Sequence, residues 1–250
     1  MSHIVDWLRR LGRRPGPISV SGRTDSGRVR ANNEDCFAVF AERGLFLVAD
    51  GMGGHLAGEV ASRAAVESLA AYFSKARLRA MRGNPPEIQH AMLRGLHHAN
   101  AEVMRLAAAD AGQRGMGCTL VAALIDAGTL HTCHVGDVRC YLADAQGLER
   151  LTSDHSLGDE GGARHVVTRA LGFPFPEDPE YHARRLRPGQ RILLCSDGLW
   201  SMVDDLCLGR ILQEAGEPAA ACDRLIEAAN AAGGQDNITA LVIFFQSATQ

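Results

Sequence analysis

Consecutive strand patterns with no helix between them are the feature that most restricts the fold. Short apolar runs bounded by glycine or aspartate predict strands at about 117–126, 129–135, 138–144 and 148–152, and another at about 180–187. Parallel strands need a crossover connection, which is usually a helix. We therefore expect antiparallel sheets covered by helices and not a doubly wound parallel sheet.

Helical patterns occupy two blocks on either side of these strands. In the first block, apolar residues recur on one face over 59–80, and Pro85 begins a second helix. The second block covers about 199–214 and 217–232. Grouped helices of this kind are typical of an α+β chain.

Three continuous apolar runs predict buried strands at 45–49, 192–196 and 238–245. Because the chain has no repeat and no long linker, we interpret 18–250 as one domain and 1–17 as a basic N-terminal extension. Apolar residues on one face of that extension, with arginines opposite, allow contact with a membrane or a partner. The alternatives are a frayed tail or a helix packed on its own domain.

Charge and composition exclude several classes of function. With 26 basic and 29 acidic side chains the formal net charge is −3, so no overall field attracts nucleic acid. No apolar run approaches the roughly 20 residues of a transmembrane helix. The seven cysteines include no C-x-x-C pair and are interpreted as reduced core thiols. We expect a cytoplasmic protein with no transmembrane segment and no nucleic-acid partner.

Acidic residues recur where apolar strand patterns meet glycine-rich turns, at Asp50, Asp137, Asp197 and Asp236. Each one alone is explained by turn chemistry, since aspartate bonds its own backbone and glycine accepts positive φ. Together with the acidic segment 32–35, they bring four to six carboxylates together if the strand ends gather at one edge. Carboxylates that close repel one another, so the arrangement requires protons or cations.

The available donors favour hard cations. No histidine or cysteine pair has the spacing of zinc ligands, and the H-E-x-x-H motif is absent. Ligation by oxygen alone selects Mg²⁺ or Mn²⁺. The glycine after Asp50 permits a close backbone approach, so the Gly51 carbonyl is a further candidate ligand.

Six motifs in register resemble one known family. They are Thr24-Asp25-x-Gly27-x-x-Arg30-x-x-Asn33-Glu34-Asp35, Asp50-Gly51-Met52-Gly53-Gly54-His55, Met116-Gly117-Cys118-Thr119, His134-Val135-Gly136-Asp137, Ser196-Asp197-Gly198-Leu199 and Gly234-x-Asp236-Asn237. This order resembles the bacterial branch of the metal-dependent protein phosphatases, the type 2C serine/threonine phosphatases, from about Ile18 to Phe245. The resemblance implies a four-layer α-β-β-α sandwich, in which two antiparallel β-sheets are flanked by helices.

The resemblance also implies a metal site by position. Asp50 would bridge two core Mn²⁺ or Mg²⁺ ions, with the Gly51 carbonyl on one of them. Asp197 and Asp236 would be the remaining direct ligands of the other ion. Asp137 would bind a weaker third ion, alongside Asp197.

Catalytic roles are implied in the same way. Arg30 would clamp the substrate phosphate, because its planar fork suits bidentate binding. Glu34 and Asp35 would hold metal-bound waters, with direct ligation by Glu34 as an alternative. The implied reaction is in-line attack of a metal-activated water on phosphoserine or phosphothreonine. Phosphoproteins and a cognate Ser/Thr kinase are the implied partners.

The chain departs from its relatives near the leaving group and in one loop. Met52 stands where some eukaryotic relatives have a histidine, which leaves the proton donor open. His55 is a candidate, and a packed or solvent-facing histidine is an equal alternative. His155 is interpreted as a structural hydrogen-bonding residue. The segment 156–163 is shorter than the flap of many bacterial relatives, so we expect the third ion to bind weakly.

Two other functions are compatible with these residues. A catalytically inactive binding module could keep the same fold, although every core ligand position is intact. A two-metal hydrolase could instead act on a small phosphate ester or a nucleotide. Arg30 and the order of the motifs favour a phosphoprotein substrate.

Overall fold

The computed structural model of the chain describes residues 18–53, 57–157, 166–175 and 177–246. Within these ranges the ten strands are β1 (Ile18–Asp25), β2 (Cys36–Phe40), β3 (Leu45–Met52), β4 (Gly117–Asp126), β5 (Thr129–Val135), β6 (Arg139–Asp144), β7 (Gly147–Arg150), β8 (Glu180–Arg185), β9 (Arg191–Cys195) and β10 (Ile238–Phe245). They form two five-stranded sheets, ordered β1-β10-β9-β6-β7 and β2-β3-β4-β5-β8. Every pair of neighbouring strands is antiparallel.

Helices cover the outer face of each sheet. They are α1 (Ala57–Tyr72), α2 (Lys75–Met81), α3 (Pro85–Ala109), α4 (Asp197–Trp200), α5 (Asp205–Glu214) and α6 (Pro218–Ala231). Side chains of α1 and α3 pack on the sheet that contains β3, and side chains of α5 and α6 pack on the sheet that contains β10. The predicted four-layer α-β-β-α sandwich of class α+β is confirmed.

Burial on both faces explains why the central strands are continuously apolar. In β3, Leu45 and Leu47 pack against the helices, while Phe46 and Val48 pack between the two sheets. Successive side chains of a strand point to opposite faces, so a strand in an inner layer needs apolar residues at every position. All three strands that the apolar runs predict are present.

Two predicted helices are each divided in the structure. The pattern at 59–80 forms α1 and α2, because Ser74 adopts a non-helical conformation and its side chain caps α2 by accepting from the backbone N–H of Arg77. The pattern at 199–214 forms α4 and α5, and Asp204 caps α5 in the same way. Periodicity continues across both breaks because each pair of helices packs on the same sheet.

Strand ends from both sheets meet at one edge of the sandwich. The end of β1 lies beside the start of β10, since Asp25 pairs with Ile238. The turn 136–138 crosses directly from β5 in one sheet to β6 in the other. We refer to this edge, with the connections 26–35, 136–138 and 232–237, as the acidic edge.

The predicted extension at 1–17 lies outside the described residues. No helix within the described ranges has both the length and the apolar character needed to cross a bilayer. All seven cysteines fall within these ranges and are free thiols, as the sequence predicts.

Candidate active site

The acidic edge carries the five predicted metal-binding positions. They are Asp50 and Gly51 near the end of β3, Asp137 in the turn between β5 and β6, Asp197 at the first residue of α4, and Asp236 just before β10. The negative charges of Asp137 and Asp197 contribute to a raised pKa of Asp50.

The carboxyl groups of Asp50 and Asp197 contact each other directly. A hydrogen bond joins their side chains. The pKa of Asp50 lies well above its usual value, first because the carboxylate is removed from water and then because Asp35, Asp197 and Asp137 are negatively charged. Two carboxyl groups in hydrogen-bond contact must share a proton or be bridged by a cation.

Asp35 lies beneath this pair and is held by hydroxyl groups. Ser196 Oγ and Thr239 Oγ1 donate to Asp35 Oδ2 at 2.7 and 2.6 Å. Burial, reinforced by the charges of Asp197 and Asp236, raises the pKa of Asp35 to about 8, although both hydrogen bonds oppose the shift. Asp35 Oδ1 is buried and has no hydrogen-bond partner among the described residues.

Glu34 is held at the mouth of the cluster by its backbone and by a close approach to α1. The Glu34 carbonyl accepts from Gly51 N at 3.2 Å and from Ser62 Oγ at 2.6 Å. A Cβ at Gly58 would lie 2.1 Å from Glu34 Oε2, so glycine is required there. Burial raises the pKa of Glu34, and the nearby Arg30 opposes that rise.

Arg30 places a guanidinium at the solvent side of the cluster. Its Nη2 donates to Asp236 Oδ2 at 2.7 Å, and this hydrogen bond raises the pKa of Arg30. The Arg30 side chain is 56% exposed. The predicted phosphate clamp therefore lies beside the predicted ligands, and in this structure it pairs with one of them.

Asp137 is buried and its backbone is fixed on both sides. Gly136 has a φ of 102°. A side chain there would collide with Thr119, since an added Cβ would lie 2.3 Å from Thr119 Cγ2. The Asp137 carbonyl accepts from Trp200 Nε1 at 2.9 Å.

Several residues that support the site were given no role of their own in the sequence analysis. Besides Ser196, Thr239 and Gly58, they include Asn237, whose Oδ1 accepts from Glu34 N at 2.8 Å and whose Nδ2 donates to the carbonyls of Ser26 and Asn32. Asn237 thereby ties the 26–35 connection to the start of β10. Only the adjacency of Ser196 and Asn237 to predicted ligands could have indicated these roles.

Two predicted features cannot be placed. His55 falls in the gap at 54–56, and most of the short flap falls in the gap at 158–165, so both lie outside the described residues. Their roles stay predictions.

The donor set of the acidic edge fits hard divalent cations. All its candidate ligand atoms are oxygens, and the Oδ1 atom of Asp35 has no hydrogen-bond partner among the described residues. Burial and then neighbouring negative charges raise the pKa values of Asp35 and Asp50. Within the described part of the chain, the one set of three ligand-type atoms within 4.8 Å lies elsewhere. Among the described residues of the acidic edge, no three carboxylates lie this close together.

Comparisons with known sequences agree with this chemistry. A family model described as "Protein phosphatase 2C" matches residues 26–238. The serine/threonine phosphatase stp of Listeria monocytogenes is 35% identical over 240 residues, which cover 88% of this chain and 93% of that protein. The serine/threonine protein phosphatase PstP of Mycobacterium tuberculosis is 35% identical over 241 residues, covering 90% of this chain and 44% of that protein.

Solved structures have the same architecture. The catalytic domain of PstP in complex with two manganese ions is 33% identical, with a TM-score of 0.81 over 92% of this chain and 99% of that one. The serine/threonine phosphatase of S. agalactiae gives a TM-score of 0.83 at 29% identity, over 92% of this chain and 100% of that one. The chain therefore belongs to the protein phosphatase 2C family and is a metal-dependent serine/threonine protein phosphatase of its bacterial type.

Proposed function

We propose that this phosphatase removes phosphate from serine and threonine side chains at the acidic edge, with two Mn²⁺ or Mg²⁺ ions bound there. The observation that carries the proposal is the grouping of Asp35, Asp50 and Asp197, two of which have raised pKa values, beside the exposed Arg30. The two manganese ions of the related PstP domain support the choice of ion.

The proposed metal ligands are assigned from the positions that match the family motifs. Asp50 would contact both core ions and the Gly51 carbonyl one of them, while Asp197 and Asp236 would hold the other. Asp137 and Asp197 would hold a weaker third ion, which is supported by the charge that Asp137 exerts on Asp50.

The ions and the side chains would have separate tasks. When bound, the cations lower the pKa of a water towards neutrality and offset charge on the phosphoryl group. Arg30 would leave Asp236 and bind two phosphoryl oxygens through its planar fork. Asp35 would stay fixed by Ser196 and Thr239 and, with Glu34, orient water beside the phosphate. His55 remains the candidate proton donor to the leaving oxygen.

The physiological setting is a further part of the proposal. A serine/threonine phosphatase of this type would oppose a cognate Ser/Thr kinase that phosphorylates the same proteins. A cytoplasmic location stays a prediction from the sequence.

Phosphate release from a phosphothreonine peptide tests the proposal. After exhaustive chelation the protein should be inactive; Mn²⁺ or Mg²⁺ should restore turnover, and Zn²⁺ should restore it poorly. Asp223→Asn is a matched control, because it removes an exposed carboxylate paired with Arg23 and should leave activity unchanged. Full turnover in the chelated protein would contradict the proposed chemistry.

Two further substrates separate the alternatives. Hydrolysis of p-nitrophenyl phosphate but a higher kcat/KM for a nucleotide than for the peptide would identify a small-ester hydrolase. Failure to hydrolyse any of the three with Mn²⁺ present would identify a binding module.

A further inference from the structure

A second group of titratable side chains lies next to the acidic edge and is not part of the cluster described above. It contains His134 at the end of β5, His155, and Glu180 at the start of β8. The two imidazole rings are stacked, with centroids 4.7 Å apart and planes inclined by 16°. Glu180 Oε2 lies 3.4 Å from His155 Nε2 and 3.7 Å from His134 Nε2.

The hydrogen-bond partners determine where the protons of this group lie. The backbone N–H of Gly136 can only donate, so His155 Nδ1 accepts it at 3.1 Å and the ring proton of a neutral His155 lies on Nε2. The Ser153 carbonyl can only accept, so His134 Nε2 carries a proton towards it at 2.9 Å. Both nitrogens that face Glu180 are therefore donors.

This arrangement argues against a metal ion between the three side chains. A nitrogen that carries a proton has no lone pair for a cation, and the in-plane lone pairs of two parallel rings do not converge on one point. The group is better described as a hydrogen-bonded support. What it supports is shown by the other contacts of His155.

His155 holds Gly136 by two hydrogen bonds. Its Nδ1 accepts from Gly136 N, and its own backbone N–H donates to the Gly136 carbonyl at 3.0 Å. Asp137 follows directly, and Trp200 holds the Asp137 carbonyl. The backbone that carries the Asp137 carboxylate is thus held from both sides, and Asp137 lies close enough for its charge to raise the pKa of Asp50.

We propose that His155 is a positioning residue whose Nδ1 and backbone N–H fix the Gly136–Asp137 turn and so hold the Asp137 carboxylate towards a divalent cation. The proposal rests on the proposed function, in which Asp137 takes part in binding the weaker third ion. Residues that orient a ligand without touching the metal commonly contribute ten- to a hundredfold to metal affinity.

A pair of amide substitutions separates this role from simple packing. In His155→Asn the side-chain oxygen takes the place of Nδ1 and can still accept from Gly136, whereas in His155→Gln the amide reaches the place of Nε2 and leaves the Gly136 N–H unpaired. Both variants remove the ring and its stacking on His134. Any difference between them therefore reports on the hydrogen bond at Nδ1.

Calorimetric titration of the metal-free protein with Mn²⁺ gives the readout. We expect His155→Gln to weaken the weakest Mn²⁺ site about tenfold and to leave the tighter sites unchanged, with His155→Asn close to the wild type. His182→Ala is the control, because His182 also contacts Glu180 but from the exposed side. Asp137→Asn should remove the same weak site, and adding His155→Gln to it should change Mn²⁺ binding no further.

The outcomes distinguish the positioning role of His155 from the proposed metal-dependent function. Equal Mn²⁺ affinities for His155→Asn and His155→Gln would overturn the positioning role, even if both variants unfold at lower temperature. A site that Asp137→Asn retains but His155→Gln loses would show that the histidine group itself binds the ion. If the wild type binds no Mn²⁺ and releases no phosphate, the proposed function fails first, and the positioning role with it.

Discussion

Two regions of this molecule hold carboxylates that are partly or fully removed from water, and the negative charge is offset differently in each. Asp154 accepts from Arg139 Nε and Nη2 at 2.9 and 2.6 Å, in a bidentate pair that is 13% and 17% exposed. Burial is the largest single influence and would lower the pKa of Arg139, but the hydrogen bonds and charges of Asp154 and Tyr141 together outweigh it and the pKa is raised. In the acidic edge, by contrast, burial and then the charges of neighbouring carboxylates raise the pKa values of Asp35 and Asp50.

The difference separates a structural carboxylate from one that binds ions. Arg139 also stacks on the ring of Trp200 at 3.5 Å, so the Asp154 pair is complete within the fold. In the metal-free protein, repulsion among the carboxylates of the acidic edge lowers the free energy of unfolding. Bound cations offset that repulsion and restore part of the stability. Such local conflicts are expected at functional sites.

The largest effect should come from the acidic edge. Asp50→Asn removes charge that both core ions share, so kcat at saturating Mn²⁺ should fall about 10³-fold, or about 4 kcal/mol in the barrier. Unfolding of the metal-free variant should occur at or above the wild-type temperature, because one repulsive charge is gone. Phosphopeptide kinetics and thermal unfolding check both parts. A near-normal kcat would exclude Asp50 from the site.

Substitution in the Arg139–Asp154 pair should lower the stability of the metal-free protein, in contrast to Asp50→Asn. Asp154→Ala leaves the partly buried guanidinium of Arg139 without its carboxylate partner, which should cost about 3 kcal/mol of unfolding free energy in the metal-free protein. Urea denaturation of the chelated protein measures this loss. Asp154→Ala and Asp50→Asn with equal effects on that free energy would remove the distinction between the two regions.

Arg30 shares a feature with each region: like Arg139 it is a guanidinium paired with a carboxylate, and it lies at the acidic edge. Arg30→Ala should lower kcat/KM for phosphopeptides about 10²-fold, or about 2.7 kcal/mol, by removing a bidentate phosphate contact. Arg30→Lys should restore only part of it, since an ammonium group cannot bind two oxygens in one plane. Arg23→Ala, which removes an exposed guanidinium paired with Asp223, is the control. Wild-type kcat/KM in Arg30→Ala would place the clamp elsewhere.

Much of the fold is readable from the sequence because inner-layer strands are apolar on both faces. The runs at 45–49 and 238–245 therefore stand out without knowledge of their partners. β1 is harder to recognise, since most of its positions are only partly buried and it carries serine, arginine and threonine. The breaks at Ser74 and Asp204 depend on single capping residues, which periodicity does not detect.

In the candidate site, too, some residues can be recognised from local sequence pattern and others cannot. Asp50, Asp137, Asp197 and Asp236 stand next to glycine turns or strand ends, so local pattern identifies them. The hydroxyls that hold Asp35 come from 161 and 204 positions along the chain, and no local pattern connects residues so far apart. His155 makes hydrogen bonds, as the sequence led us to expect, but its partner Gly136 is seen only in the structure.

The last predicted effect is a pH dependence that belongs to the acidic edge and is modest over any single pH unit. The pKa of Asp35 is raised to about 8 in the folded chain, above the model-peptide value of 3.8. A carboxyl group with a raised pKa contributes stability that is fully present below the unfolded pKa and is lost as the pH rises through the folded pKa. Between about pH 4 and pH 8 the metal-free protein should therefore lose up to about 1.4 kcal/mol per pH unit from this one proton.

The difference between the wild type and Asp35→Asn isolates that proton. Histidines and cysteines elsewhere titrate equally in both proteins, so their contributions cancel when the two unfolding free energies are subtracted at each pH. The advantage of the wild type over the variant should shrink as the pH rises, and saturating Mn²⁺ should reduce the slope, because bound cations favour the ionised carboxylate. A pH-independent difference without metal would show that Asp35 is ionised when folded. The acidic edge would then resemble the Asp154 pair, and the contrast between the two regions would fail.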